Sequence, residues 1–186
     1  MAKKFITSVY THTQLNGAVR NILQKTKARE NTRYYAINFI HVLENKFVAT
    51  DGRKLVVVEI SHPVSQGLHH ITQDGFLLPC PDAGNFPKHE DILLKPEAEG
   101  YASTTIGGDI QSQRLFSNIV YHLNQADMLF DLFLFQESIM CALKAADYEK
   151  CTIETAKDGP FQLRFDIENK HERAKIIFLQ MPINKQ

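Results

Sequence analysis

Cysteine is scarce in this sequence and long apolar runs are missing. The three cysteines, Cys80, Cys141 and Cys151, are odd in number and lack CxxC spacing, so they give neither a disulfide framework nor a zinc-ligand pattern. A reducing compartment suits such a chain, and a cytoplasmic protein is expected. No apolar stretch nears the roughly 18 residues of a membrane span. The start, MAKKFITSVYTHTQ, has neither the apolar core nor the small-residue cleavage site of a secretory signal. Catalytic signatures are missing too: there is no GxSxG, Walker A, GxGxxG or HExxH. Of eight histidines only His69 and His70 adjoin, with no carboxylate or cysteine at ligand spacing. No neighbouring feature would lower a thiol pKa, and Asp127 and Asp131 form only a lone acidic pair. The expectation is a protein that is not an enzyme, with no metal and no cofactor.

What is present is ordinary material for a core: 44% of the 186 residues are apolar and 23% charged. A chain of this length buries enough apolar surface to fold without staples. Its zero net charge hides an asymmetry. Residues 1–33 carry seven cations against the single anion Glu30, and residues 34–186 carry fourteen cations against twenty anions. A basic segment on an acidic body is what a polyanion-binding surface requires, and it is equally what a solvated helix face presents.

Periodicity orders the chain. Residues 4–10 (KFITSVY) read as a short strand. Leu15, Val19, Ile22 and Leu23 then recur at helical spacing over 13–27, with Arg20, Lys25 and Lys27 on a polar face that holds no carboxylate. Strands are expected at 34–43, 46–50 and 54–60, the last two joined by Asp51-Gly52, a strong hairpin signal. The middle is less regular: a short strand within 75–80, a proline-bounded extended stretch at 85–96, and a loop or twisted edge strand at 97–109. Residues 110–123 have helical spacing but few strong helix formers, and 128–135 read as a buried strand with helix as the rival. A second amphipathic helix at 136–146 and strands at 151–155, 161–168 and 175–181 complete the chain. Strand, helix and three strands thus occur twice. No linker separates them, so one α+β domain over 1–186 is expected, with halves at about 4–60 and 131–183 and an insertion at 97–130.

Several motifs in that order resemble the bacterial DNA sliding clamp, the β subunit of the replicative DNA polymerase, and most of all its short phage-type relatives. Residues 48–55 (VATDGRKL) resemble the clamp VATDGHRL signature, 85–92 (NFPKHEDI) its FPDYxxVIP stretch, and 178–183 (FLQMPI) its terminal VVMPM segment. Arg33-Tyr34-Tyr35 precedes the meander as in clamps. The resemblance implies a DNA-clamp-like domain of two βαβββ halves, its two helices side by side on antiparallel sheets. It also implies a homo-oligomeric processivity factor that holds duplex DNA without base readout, through Arg20, Lys25, Lys27, Arg29 and Arg33. A groove for the polymerase or other replication proteins would then comprise Thr50, Gly52, Arg53, Lys54, Leu55, Leu179, Met181 and Ile183. Arg53 and Lys54 stand where clamps carry histidine and arginine. In clamps the two groove segments come from adjacent domains, so this chain would need a neighbouring subunit to complete the groove. A hairpin and a strand end explain the same residues without any ligand. The alternative is an interaction module of clamp fold that binds partner peptides or a host clamp and does not encircle DNA. Residues 125–130 (QADMLF) resemble the glutamine-plus-apolar peptides that enter clamp grooves, but 128–135 read first as a core strand.

Overall fold

A computed structural model of the chain describes residues 15, 17–107, 112–126, 136, 139–140, 150–157, 159–168 and 173–181. Helix α1, Gly17–Thr26, follows the apolar stripe, burying Val19, Ile22 and Leu23. Thr26 closes it by donating its hydroxyl to the Ile22 carbonyl at 2.8 Å. The Ala28 N–H then turns away from the helix, 3.1 Å from both the Ile37 and the Thr50 carbonyls. A meander follows: β1 Ile40–Leu43, β2 Lys46–Thr50 and β3 Lys54–Glu59. Next come β4 Gly67–Ile71, β5 Leu77–Pro79, β6 Ala102–Gly107, helix α2 Ser112–Gln125, and a second meander of β7 Lys150–Thr155, β8 Phe161–Glu168 and β9 Arg173–Gln180.

All nine strands form one antiparallel sheet in the order β5-β4-β1-β2-β3-β9-β8-β7-β6. The two meanders meet at its centre, where the third strand of one pairs with the third strand of the other from Lys54↔Gln180 to Glu59↔Lys175. Strand alternation then divides the core between two faces. Phe47, Ala49, Val56, Val58, Phe161, Leu163, Phe165, Ile176 and Phe178 face the helices, in one cluster with Ile22 of α1 and Ile119 of α2. Val48, Leu55, Val57, Ile177 and Leu179 face the other way and are covered by Phe86 and Leu93.

Several expectations change here. One continuous sheet takes the place of separate sheets, because β3 and β9 pair directly. Residues 112–125, ambiguous by composition, are helical, since Leu115, Ile119 and Leu123 supply a buried stripe. With β6 they lie inside the stretch read as an insertion. The expected strands at 4–10 and 128–135, and most of 136–146, lie outside the described residues. Of the expected second helix Gln136, Ile139 and Met140 are helical, and Ile139 joins the same core cluster as α1. Strand β4 was not expected at all. The edge strand foreseen within 97–109 is β6, paired with β7.

Phe178, fully buried on the central strand β9, carries the helix-side core. Phe178→Ala is expected to cost about 3–5 kcal/mol in chemical denaturation, whereas Tyr121→Ala on the exposed face of α2 should cost less than about 0.5 kcal/mol.

Candidate functional site

The turn between β2 and β3 is built by its own side chains. Gly52 has φ 88°, a left-handed conformation that glycine adopts without strain. The Thr50 hydroxyl donates to the Lys54 carbonyl at 2.7 Å and accepts the Gly52 N–H at 3.1 Å. Asp51 Oδ1 accepts the Arg53 and Lys54 N–H groups, each at 2.9 Å. The ladder β3–β9 is extended past its end by the Met181 N–H, which donates to the Arg53 carbonyl at 2.9 Å. The TDGRKL turn and the C-terminal FLQM segment are therefore neighbours in one sheet of one chain. They meet without a second subunit.

Beside that junction lies an open depression of about 520 Å³. Ile92 and Leu93 line it from the 80–98 segment, Ala156 and Pro160 from the β7–β8 turn, and Met181 from the end of β9. Met181 is 43% exposed, an unbranched and adaptable apolar side chain open to solvent. Two contacts hold the walls together. Lys157 N–H donates to the Glu99 carbonyl at 3.0 Å, and Gly100 at φ 65° lies so close that an added Cβ would come 2.9 Å from Lys157 Cβ. Behind the wall, Glu154 accepts Tyr101 Oη at 2.7 Å, Gln162 Nε2 at 2.5 Å and Arg164 Nη2 at 3.1 Å. The bond to Glu154, with burial second, pushes the Tyr101 phenol pKa up.

The sequence-derived groove residues divide by strand face. Met181 lines the depression, Gly52 and Arg53 are exposed beside it, and Thr50 is buried in the turn. Leu55 and Leu179, each 1% exposed, lie on the covered face beneath Phe86 and Leu93 and line no groove. Lys54 is turned to the helix side and is 4% exposed. Its ammonium donates to the Lys25 carbonyl at 2.7 Å, at the C-terminal end of α1 where a cation is favoured, and stands 3.8 Å from Asp51 Oδ2. Ile183 lies outside the described residues. The sequence reading did not assign Ile92, Leu93 and Pro160 to the groove. Their proline-bounded stretches were the available signal.

The five basic residues also divide. Lys25, Arg29 and Arg33 are exposed, and the Arg33 guanidinium lies 5.5 Å over the Tyr34 ring. Tyr34 and Tyr35 beside it are exposed as well, an aromatic pair that charge arithmetic alone does not reveal. Arg20 is half-buried, packed over Gly75, where an added Cβ would come 2.8 Å from Arg20 Cδ. Lys27 is half-buried, 3.4 Å from the Ala28 carbonyl, and desolvation pushes its pKa down. The polar face of α1 is partly covered because the 72–76 turn docks on it, through Leu15 N–H to the Gly75 carbonyl at 2.8 Å and Gln24 Nε2 to the Thr72 carbonyl at 2.9 Å. Gln125 and Ala126 are exposed at the end of α2, and the remainder of QADMLF lies outside the described residues.

His69 is buried, bonded through Nδ1 to the Gly67 carbonyl at 3.2 Å, while His70 is exposed, so the pair does not converge on one point. Cys80 and Cys151 are free thiols, and burial pushes the Cys151 pKa up. Among the described residues no group of three or more histidine, cysteine or acidic side chains is placed to hold a metal, and no helix is long and apolar enough to cross a membrane.

No protein-family model and no curated protein matches this sequence. Among solved structures, the H. pylori β clamp in complex with diflunisal superposes with a TM-score of 0.52 at 13% identity, covering 90% of this chain and 64% of that one. The β subunit of DNA polymerase III from Pseudomonas aeruginosa gives 0.49 at 12% identity, with the same coverages. The chain thus spans less than two thirds of the length of these proteins. The fold is clamp-like.

Thr50→Val removes both turn bonds of the buried hydroxyl and is expected to cost about 1–2 kcal/mol by denaturant titration. Arg53→Ala, whose side chain is exposed and whose carbonyl is retained, should stay within about 0.5 kcal/mol of the parent.

Proposed function

We propose that this chain is a sliding-clamp-like processivity factor. In this reading it is a cytoplasmic homo-oligomer of phage type that binds duplex DNA without sequence preference and docks replication proteins at the Met181 depression. It acts by binding rather than by catalysis. The observation that carries the reading is the β3–β9 junction: the Met181 N–H bonds the Arg53 carbonyl at 2.9 Å, so the two segments resembling a clamp groove are joined, and Met181 of one of them lines an open, mostly apolar depression. A partner peptide with a glutamine and one or two apolar side chains fits such a surface, since Met181 and Ile92 offer burial and the lining side chains Asp91, Lys95 and Glu97 offer polar groups. The clamp-like fold supports the DNA part of the reading, as do the three exposed cations Lys25, Arg29 and Arg33 beside Tyr34 and Tyr35. Assembly between copies would use β6, an edge strand of six residues without charge or proline.

One observation favours the second reading, a clamp-fold interaction module that does not encircle DNA. Two of the five cations, Arg20 and Lys27, are half-buried rather than offered to a phosphate backbone.

The experiments separate the two. A labelled QADMLF peptide is expected to bind the protein, and Met181→Glu to weaken it at least tenfold with unchanged thermal stability. Equal binding by that variant removes the depression from the argument. Duplex binding measured by anisotropy is expected to be base-blind and to fall steeply between about 50 and 200 mM salt. Joint replacement of Lys25, Arg29 and Arg33 by glutamate should abolish it, and Arg20→Gln should matter little. Light scattering that finds a monomer, together with no duplex binding at low salt, leaves only the interaction module.

A further inference from the structure

Residues 80–98 contain no regular strand or helix, yet they cross the sheet face opposite the helices and seal it. Phe86 and Leu93 cover Val48, Leu55, Val57, Ile177 and Leu179. The segment is tied at its start by the Cys80 N–H, which donates to the Leu68 carbonyl at 2.8 Å, and by two further bonds. The Asn85 carbonyl accepts the Ala36 N–H at 2.8 Å, and the Leu94 N–H donates to Gln162 Oε1 at 3.2 Å. Between those ties sits His89, buried against His41 of β1, with the rings edge to face at 6.5 Å; the His41 ring also lies 5.0 Å from Phe86. His41 Nδ1 and His89 Nε2 are both buried without a hydrogen bond. His89 Nε2 stands 3.2 Å from Glu90 Oε1 but is not aligned with it as a hydrogen bond.

We infer that residues 80–98 are a proton-operated strap, closed while His41 and His89 are neutral and released when they become charged, uncovering the apolar surface of Val48, Leu55, Val57, Ile177 and Leu179. Two imidazolium ions cannot share this contact cheaply. Each would be desolvated, each repels the other, His41 Nδ1 has no hydrogen bond, and the Glu90 carboxylate beside His89 is exposed to solvent.

The charged groups around the pair are few. Burial holds both histidines below the ordinary value of about 6.5. Lys46 of β2 and His41 push His89 further down, and Glu90 works against the shift at both rings. A histidine whose pKa is depressed in the closed state stabilises that state fully above about pH 6.5, and this contribution is lost as pH falls from there. The opening constant therefore rises by up to about tenfold per pH unit for each histidine. His62, stacked on Phe47 at 4.2 Å, and His69 titrate on the helix side and are also depressed by burial, so acid lowers global stability as well. The strap has to be read separately from that.

Hydrogen exchange corrected for intrinsic rates makes the separation. Between pH 7.5 and pH 5.5 the Ala36 and Leu94 amides are expected to open at least tenfold more, while the β3 and β9 ladder amides change much less. Lys46→Gln relieves part of the depression of His89 in the closed state and should move the midpoint of strap opening to lower pH, whereas Glu90→Gln deepens it and should move the midpoint to higher pH. A merely structural role for either side chain would not produce opposite shifts. Strap and ladder amides that exchange in step at every pH, or a midpoint unmoved in both variants, overturn the inference.

Discussion

The antiparallel ladder between β3 and β9 is the constraint on which the rest of this molecule depends. Six residue pairs, from Lys54↔Gln180 to Glu59↔Lys175, join two meanders that each leave an unsatisfied third strand. An unpaired central strand would expose a full row of backbone donors and acceptors beside Val56, Val57 and Val58, which is costly in a buried setting. Joining the two strands removes that cost for both halves at once. The same ladder sets the register that carries Met181 to the Arg53 carbonyl.

From that register the two faces acquire different chemistry. The helix side is closed by amphipathic helices whose stripes match it, and its cluster runs from Leu15 to Phe178. Among the described residues no helix covers the other side. It is sealed by an irregular segment that contributes two large apolar side chains, a buried imidazole and a glutamine-bound amide. Nearer β7 it is finished by the Glu154, Gln162 and Arg164 network, in which the carboxylate's lone pairs are shared among donors. A face closed by loop and polar contacts is the less cooperative of the two. The open depression at Met181 lies at its margin.

Much of this was legible in the sequence, for local reasons. The stripe of α1, the Asp51-Gly52 hairpin and the alternation of β7 to β9 are short-range signals, and each element formed near its expected position. β4 escaped because GLHHI is short and two of its five residues are histidines, of which His69 is buried only by tertiary contact. α2 stayed ambiguous because serine, asparagine and glutamine dilute its helix propensity, and packing of Leu115, Ile119 and Leu123 supplies what propensity does not. The groove was only partly legible. Alternation shows that Leu55 and Leu179 share a face, but not that Phe86 and Leu93 arrive from elsewhere to cover it. Nor could charge spacing show that the turn at Gly75 docks under Arg20.

The central ladder also decides when during its own synthesis this chain can finish folding. Val57 and Ile177, partners across the ladder, are separated by 120 residues. The first meander can form as soon as Glu59 has left the ribosome, yet one edge of β3 waits until β9 has been made. Through that interval KLVVVE is an apolar strand with a bare edge, the kind of template that captures a neighbouring nascent chain. Long-range pairing of this kind is slow to nucleate, because loop closure must precede any reward from the contacts. A ribosome that stalls before Arg173 leaves that edge open for good, so the last eight strand residues act as the stopper of the whole sheet.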